Sequence, residues 1–163
     1  MAISNSILNV RSARPAENEY LSALAAAAKA LWGYPEQQLA LWAGELRISH
    51  ESIINEPTFV VEEHARPVAV AQLDTKASPW AVECLWVHPS AIGRGVGTLL
   101  VRHLLAHARA NGQSVLSVDA DPNAEAFYIR LGAHRVGAVD APIQGQPDRR
   151  RPQLILYVED AAC

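Results

Sequence analysis

Cysteine is nearly absent from this 163-residue chain: Cys84 sits inside an apolar run and Cys163 ends the sequence. Two such residues build no disulfide framework, so a reducing, cytoplasmic setting is expected. A surplus of positive charge is missing too. The formal net charge is −3, whereas nucleic-acid binders generally present a basic face, so no such partner is expected. Only Arg149, Arg150 and Arg151 cluster, and a run that short reads as a solvated loop. No membrane span is expected, because the Ala-rich stretch 21–32 is too short and interrupted. Residues 1–20 lack a basic segment followed by a long apolar run, so no secretory signal is read. No repeat or low-complexity linker divides the chain. With 50% apolar and 19% charged residues, it reads as a single soluble domain, residues 1–163, able to bury one sizeable core.

Periodicity supplies the elements. Ile7–Arg14 reads as a short strand ending at Pro15. Leu21, Leu24, Ala28 and Leu31 then recur at helical spacing, and Trp32-Gly33-Tyr34-Pro35 breaks the pattern. A second helix carries Leu39, Trp42 and Leu46 on one face. Residues 57–63 and 67–73 read as a hairpin, and Ala81–Val87 as a further strand. Val96–Asn111 is the strongest helix, with an apolar stripe and a stop at Asn111-Gly112. A strand at Ser114–Asp119, a helix at Asn123–Leu131, a strand at His134–Ala138, a loop over Ala141–Pro152 and a strand at Gln153–Glu159 complete the chain. Without a repeating βαβ rhythm, a mixed sheet with helices on both faces fits better than a doubly wound fold.

Gly93-Arg94-Gly95-Val96-Gly97-Thr98 follows a strand and opens that strongest helix. Glycines let backbone N–H groups approach an anion, and the helix start adds free donors and a positive dipole end, so a phosphate is favoured there. The spacing excludes a Walker loop, which needs Gly-Lys-Ser/Thr, and a G-x-G-x-x-G dinucleotide fingerprint. A tight strand-to-helix turn needs the same glycines, so that alternative stays open on the turn alone.

The run LWVHPSAIGRGVGTLLVRHLLAHA, followed by DADPNAEAFYIRLGAHRVG, resembles the GNAT superfamily of acetyl-CoA-dependent N-acetyltransferases. The resemblance covers residues 81–138, with a compatible last strand. It implies an α/β (α+β) fold with a mixed, mostly antiparallel sheet of about six to seven strands, helices on both faces, and a splay between the fourth and fifth strands. It also implies acetyl-CoA as co-substrate, lying in that splay, and possible assembly as a homodimer. Leu85 and Val87 fall where main-chain groups meet the pantetheine and thioester. Ile92, Gly93, Arg94, Gly95, Val96, Gly97 and Thr98 fall at the pyrophosphate turn. Asn123 matches a polar residue near the pantetheine arm, and Phe127-Tyr128 matches the pair below the sulfur. One departure is Ile92, which stands where the family usually carries Gln or Arg, and Arg94 is expected to replace part of that charge.

Acyl transfer to an amine needs a neutral nucleophile and a protonated leaving thiol. Tyr128 is the candidate acid, against the plainer reading of a tyrosine packing helix on sheet. Glu83 alternates with Leu85 and Val87, so simple pleating puts all three on one face, where a carboxylate among apolar neighbours would suit a base. A solvated or ion-paired glutamate is the equal alternative. His88 is a spare base. His103 and His107 stand at i, i+4, but lie off the apolar stripe with no third ligand evident, so solvent exposure is expected and no metal. Cys84 alternates to the other face as a buried thiol, which favours direct transfer. Trp32 and Tyr34, in the break between the first helices, border the expected acceptor site as pocket lining or loop anchors, and the loop Ala141–Pro152 with its three arginines is a further candidate flank. The expected activity is acetylation of a primary amine, of a small molecule, in a ternary complex. The rivals are an acyl-CoA-binding module without turnover, resting on Ile92, and a nucleotide-binding protein.

Overall fold

The computed structural model describes residues 7–158. Cys163 and the expected strand end at Glu159 lie outside the described residues. Seven strands form one sheet in the order β1-β2-β3-β4-β5-β7-β6. They are β1 (Asn9–Ser12), β2 (Thr58–Glu63), β3 (Arg66–Asp74), β4 (Ala81–Val87), β5 (Val115–Asp119), β6 (His134–Asp140) and β7 (Arg150–Tyr157). Every pairing is antiparallel except β4 with β5. The helices are α1 (Asn18–Ala30), α2 (Glu36–Leu46), α3 (His50–Asn55), α4 (Val96–Ala110) and α5 (Glu125–Arg130). Among the described residues no helix is long and apolar enough to cross a membrane.

Strand pleating sorts the core into two layers. On one face Val60 and Val70 meet Leu21 and Leu24 of α1, with Ile48 and Ile53. On the other, Val61, Ala69, Ala71 and Leu73 meet Val96, Leu100, Leu104 and Leu105 of α4. Alternate residues of β2 and β3 therefore serve opposite layers, as a two-sided sheet requires. The α1 stripe ends earlier than its periodicity suggests: Leu31 is 53% exposed. It stands on a cavity wall instead.

Two irregularities of β4 create the site. β4 and β5 pair only at Ala81↔Ser117 and Val82↔Val118. From Glu83 onward the β5-facing edge of β4 has no neighbouring strand among the described residues, so the sheet splays between its fourth and fifth strands. Opposite that edge, Gln72 pairs with Cys84 and Leu73 with Val82, which leaves Glu83 as the extra residue of a bulge. The bulge breaks the alternation. Val82 and Leu85 both reach the α4-side core, while Glu83 is exposed. The expectation that Glu83 shares an apolar face with Leu85 and Val87 is therefore corrected, because strict period-two counting fails across an inserted residue.

Three smaller differences have local causes. α3 is absent from the periodicity reading because its six residues are shorter than two helical turns. Its signal is the cap, where the Ser49 hydroxyl accepts from the Ser52 N–H at 3.0 Å. The helix expected at Asn123–Leu131 begins as a tight 3-10 turn at Pro122–Ala124, with Glu125–Arg130 alone α-helical. β7 begins at Arg150 rather than Gln153, extended by pairing of Asp140 with Arg150 and Val139 with Arg151. The arginine run is thus no solvated loop. Arg150 reaches Asp140 at 3.1 Å on the surface, Arg151 reaches Asp119, and the Arg149 side chain is only 5% exposed.

Candidate functional site

The splay opens into a cavity of about 380 Å³ between β4, α4, α5 and the end of α1. Leu85, Val87, Ile92, Gly93, Gly95, Thr98, Asn123, Phe127, Tyr128 and Trp32 all line it. Residues selected from two separated motifs and a loop thus share one wall. Gly93 and Gly95 have φ of 80° and 76°, a conformation that L side chains resist. Alternating such residues is the backbone pattern of an anion nest, here at the α4 N-terminus. A side chain at Gly95 would meet no heavy atom within 4 Å, so its requirement is backbone conformation.

Gly97 answers to a different constraint. A Cβ there would come within 3.0 Å of Phe127 Cζ and 3.1 Å of Cε2. Its absence lets the Phe127 ring seat against the first turn of α4, so the two halves of the motif meet by packing. Gly97→Ala should therefore displace Phe127 and destabilise the fold by about 1–3 kcal/mol, readable in thermal melts. An unchanged melting temperature would mean that Phe127 swings aside freely. Val96 is 1% exposed and belongs to the core beneath the turn, not to the cavity wall. The Arg94 guanidinium forks onto both Glu63 oxygens at 2.9 Å. It is held away from the cavity, where Ile92 remains 51% exposed.

Tyr128 is 5% exposed and its ring lies edge-on to Phe127 at 5.0 Å. Burial, with the nearby Cys84 as a lesser cause, pushes its phenol above the ordinary range. Cys84 is itself pushed up to about 12, first by burial and then by the charge of Glu83. Its thiolate is therefore scarce at neutral pH. His88 is occupied locally: its Nδ1 lies 2.7 Å from Ser90 Oγ and accepts from the Ser90 N–H.

A second cavity, of about 630 Å³, lies on the α1–α2 side and meets the first at Trp86, which lines both. Glu83 stands in its wall with Trp42, Lys29, Asp121 and Arg149. Lys29, one of two lysines in the chain, occupies a position on the buried stripe of α1. Its ammonium lies 2.6 Å from Asp121 Oδ2. The rings of Trp42, Tyr34, Trp32 and Trp86 surround it at 4.3–5.8 Å. Burial among these rings pulls the ammonium below the usual lysine range, against the pull of Asp121. Burial alone would raise Asp121, but Lys29, the Asn123 N–H and the Tyr34 hydroxyl hold it below the usual carboxylate range. Tyr34 lines neither cavity. Its hydroxyl donates to Asp121 at 2.8 Å and accepts from Asn123 and Arg149, so it anchors the loop into this network.

Lys29 and Asp121 escaped the sequence reading, and Arg149 entered it only as one of three arginines in a loop. The available signal was a lysine at a core position of α1, since a charge there demands a buried partner. His103 and His107 also differ from expectation. Each packs edge-on against Phe59, at 4.5 and 5.3 Å, and His107 stacks on Trp80. Burial lowers the His103 pKa, with His107 adding repulsion. Among the described residues no group of three or more His, Cys, Asp or Glu side chains could hold a metal ion.

Solved structures share this architecture. The GCN5-related N-acetyltransferase of Rhodopseudomonas palustris is 24% identical with a TM-score of 0.76, over 96% of this chain and 98% of that one. The PaiA N-acetyltransferase of Thermoplasma acidophilum, solved in complex with coenzyme A, is 13% identical with a TM-score of 0.75, over 93% and 99%. An N-acetyltransferase of Staphylococcus aureus is 17% identical with a TM-score of 0.68, over 94% and 99%. At these identities the likeness speaks for the fold. No curated protein matches the sequence. The family model described as the acetyltransferase (GNAT) family matches residues 21–133. That span runs from α1 through the splayed strand and the nest to the end of α5, and so the chain belongs to the acetyltransferase (GNAT) family.

Proposed function

We propose that the protein transfers an acetyl group from acetyl-CoA to the primary amine of a small molecule, by direct attack within a ternary complex. One observation carries this reading: the nest-lined cavity and the polar cavity abut at Trp86, beside the strandless edge of β4. Acetyl-CoA would supply a thioester whose carbonyl carbon bonds to the amine nitrogen as its C–S bond breaks.

The residues divide that work. N–H groups of Gly93 through Thr98 hold the pyrophosphate, and the free main chain at Leu85 and Val87 takes the pantetheine as an added strand would. Asn123 and Phe127 flank the arm. Glu83, exposed on the bulge in the wall of the polar cavity, accepts a proton from the incoming ammonium, directly or through water. Tyr128 gives its O–H proton to the departing sulfur and is reprotonated by the proton shed from the new amide nitrogen. The scarce Cys84 thiolate supports direct transfer over an acetyl-cysteine. Ile92 and the tethered Arg94 favour the competing reading of an acyl-CoA-binding module without turnover, which the Tyr128 experiment below separates.

Calorimetric titration with acetyl-CoA tests the cofactor assignment. Wild type should bind, and Gly95→Trp should weaken binding by at least about 10-fold, because a bulky residue strains the turn and covers its donors. Equal binding by both would place the cofactor elsewhere.

A further inference from the structure

The polar cavity carries charges of both signs in its wall. At the buried end, Lys29 and Arg149 converge on Asp121 Oδ2, at 2.6 and 3.4 Å, with side chains only 11% and 5% exposed. A single carboxylate thus faces two buried cations, and one positive charge is left without a counter-ion. The neighbouring Arg151 does not add to the surplus, because Asp119 lies 3.1 Å away. Asp119 is also engaged by Gln153.

The guanidinium of Arg149 is held but not saturated. Nη1 donates to the Ala141 carbonyl at 3.0 Å and Nη2 to the Tyr34 hydroxyl at 3.1 Å, while buried Nε donates to nothing among the described residues. Its plane is steadied over Tyr34 and Trp42, with ring centroids 5.5 and 5.3 Å from Cζ. A buried, oriented guanidinium with an unused donor and uncompensated charge is a poor arrangement for stability alone. It is a good one for a planar anion. Glu45 and Glu83 stand exposed in the same wall, and neither is ion-paired among the described residues. Trp42, Leu46 and Trp86 provide apolar wall.

We infer that the acceptor is an amino acid or a close relative: its carboxylate meets Arg149 and Lys29, its ammonium meets the Glu83 side, and an apolar side chain lies along the tryptophans. A single surplus charge matches a monoanionic carboxylate better than a dianionic phosphate. This inference rests on the transferase reading for its chemistry, but the carboxylate subsite can be measured without turnover.

The test titrates the coenzyme A-saturated protein with N-acetylphenylalanine and, separately, with N-acetylphenylalaninamide. The acid should bind at least about 10-fold more tightly, the value of one charge-assisted contact, and Arg149→Gln should erase the difference. Equal affinities in the wild type overturn the inference whatever the variant does, so a misfolded variant does not shelter it. If melting shows Arg149→Gln to be unfolded, Arg149→Lys replaces it, and full retention of the acid's advantage there places the subsite outside the guanidinium fork and overturns the inference. Thiol release from acetyl-CoA with phenylalanine, phenylalaninamide and phenethylamine separates the two readings. Equal acetylation of all three leaves the transferase standing and removes the subsite. Discrimination between acid and amide in binding, with no thiol release from any amine, supports the subsite and ends the transferase reading.

Discussion

Tyr128→Phe is expected to lower turnover by roughly 100-fold or more while acetyl-CoA affinity changes by less than about threefold. Tyr128 lines the nest-side cavity beside the Phe127 ring, where the proposed reaction puts the leaving sulfur. Its phenol is pushed upward by burial, which keeps the proton in place at neutral pH. Its hydroxyl donates to no group among the described residues, so removing it breaks no internal hydrogen bond and should barely alter the melting temperature. A loss of turnover would therefore be chemical rather than structural. Steady-state kinetics beside calorimetry reads both quantities. Unchanged turnover would remove Tyr128 from the reaction. Equal loss of affinity and turnover would recast it as a cofactor contact. Because the phenol is raised, loss of its proton should not set an alkaline limb in the rate profile near neutral pH.

How much of this was legible beforehand depended on what each feature needed to be seen. Gly93 and Gly95 stand in one contiguous motif and Phe127 and Tyr128 were named from the resemblance, and the fold brings all four to one cavity wall. The splay followed from resemblance alone, since no residue of β4 advertises that its edge is free. Glu83 was identified as a residue but misplaced, because a one-residue bulge looks like ordinary strand in a sequence and reverses the face of everything on one side of it. The wall of the polar cavity was the least legible part. Lys29, Asp121 and Arg149 lie 92 and 28 residues apart in sequence, and nothing local couples them. Arg149 in particular sits within three consecutive arginines that read as one solvated cluster, yet the start of β7 sends each in a different direction. Long-range charge pairing in a cavity leaves only an indirect trace, a lysine on an otherwise apolar helix stripe.

That pairing makes Asp121 the residue whose loss should cost the fold most. Asp121→Ala would strip the counter-charge from Lys29 and Arg149 at once, and would also remove the acceptor for the Tyr34 hydroxyl and the Asn123 N–H and Nδ2. Leaving buried cations uncompensated typically costs about 3–5 kcal/mol. In a chain of this size, that amounts to a fall in melting temperature on the order of 10 °C. Lys29→Met in the same chain should recover much of it, because an apolar side chain suits the four-ring enclosure while one cation is removed. The pH dependence has a definite sign. The Asp121 carboxyl is held below its ordinary value in the folded protein, so its contribution is fully present above the unfolded carboxyl pKa of about 4. It is lost as pH falls through the lower folded value. The gap in melting temperature between wild type and Asp121→Ala should thus hold steady near neutrality and close only in acid below about pH 4. A gap that closes well above that range would mean that Asp121 is protonated in the folded protein, and a gap under about 2 °C at neutral pH would mean that water already compensates Lys29 and Arg149. In the second case the charge surplus argued for the acceptor cavity would no longer stand, so this melt bears on substrate recognition as directly as on stability.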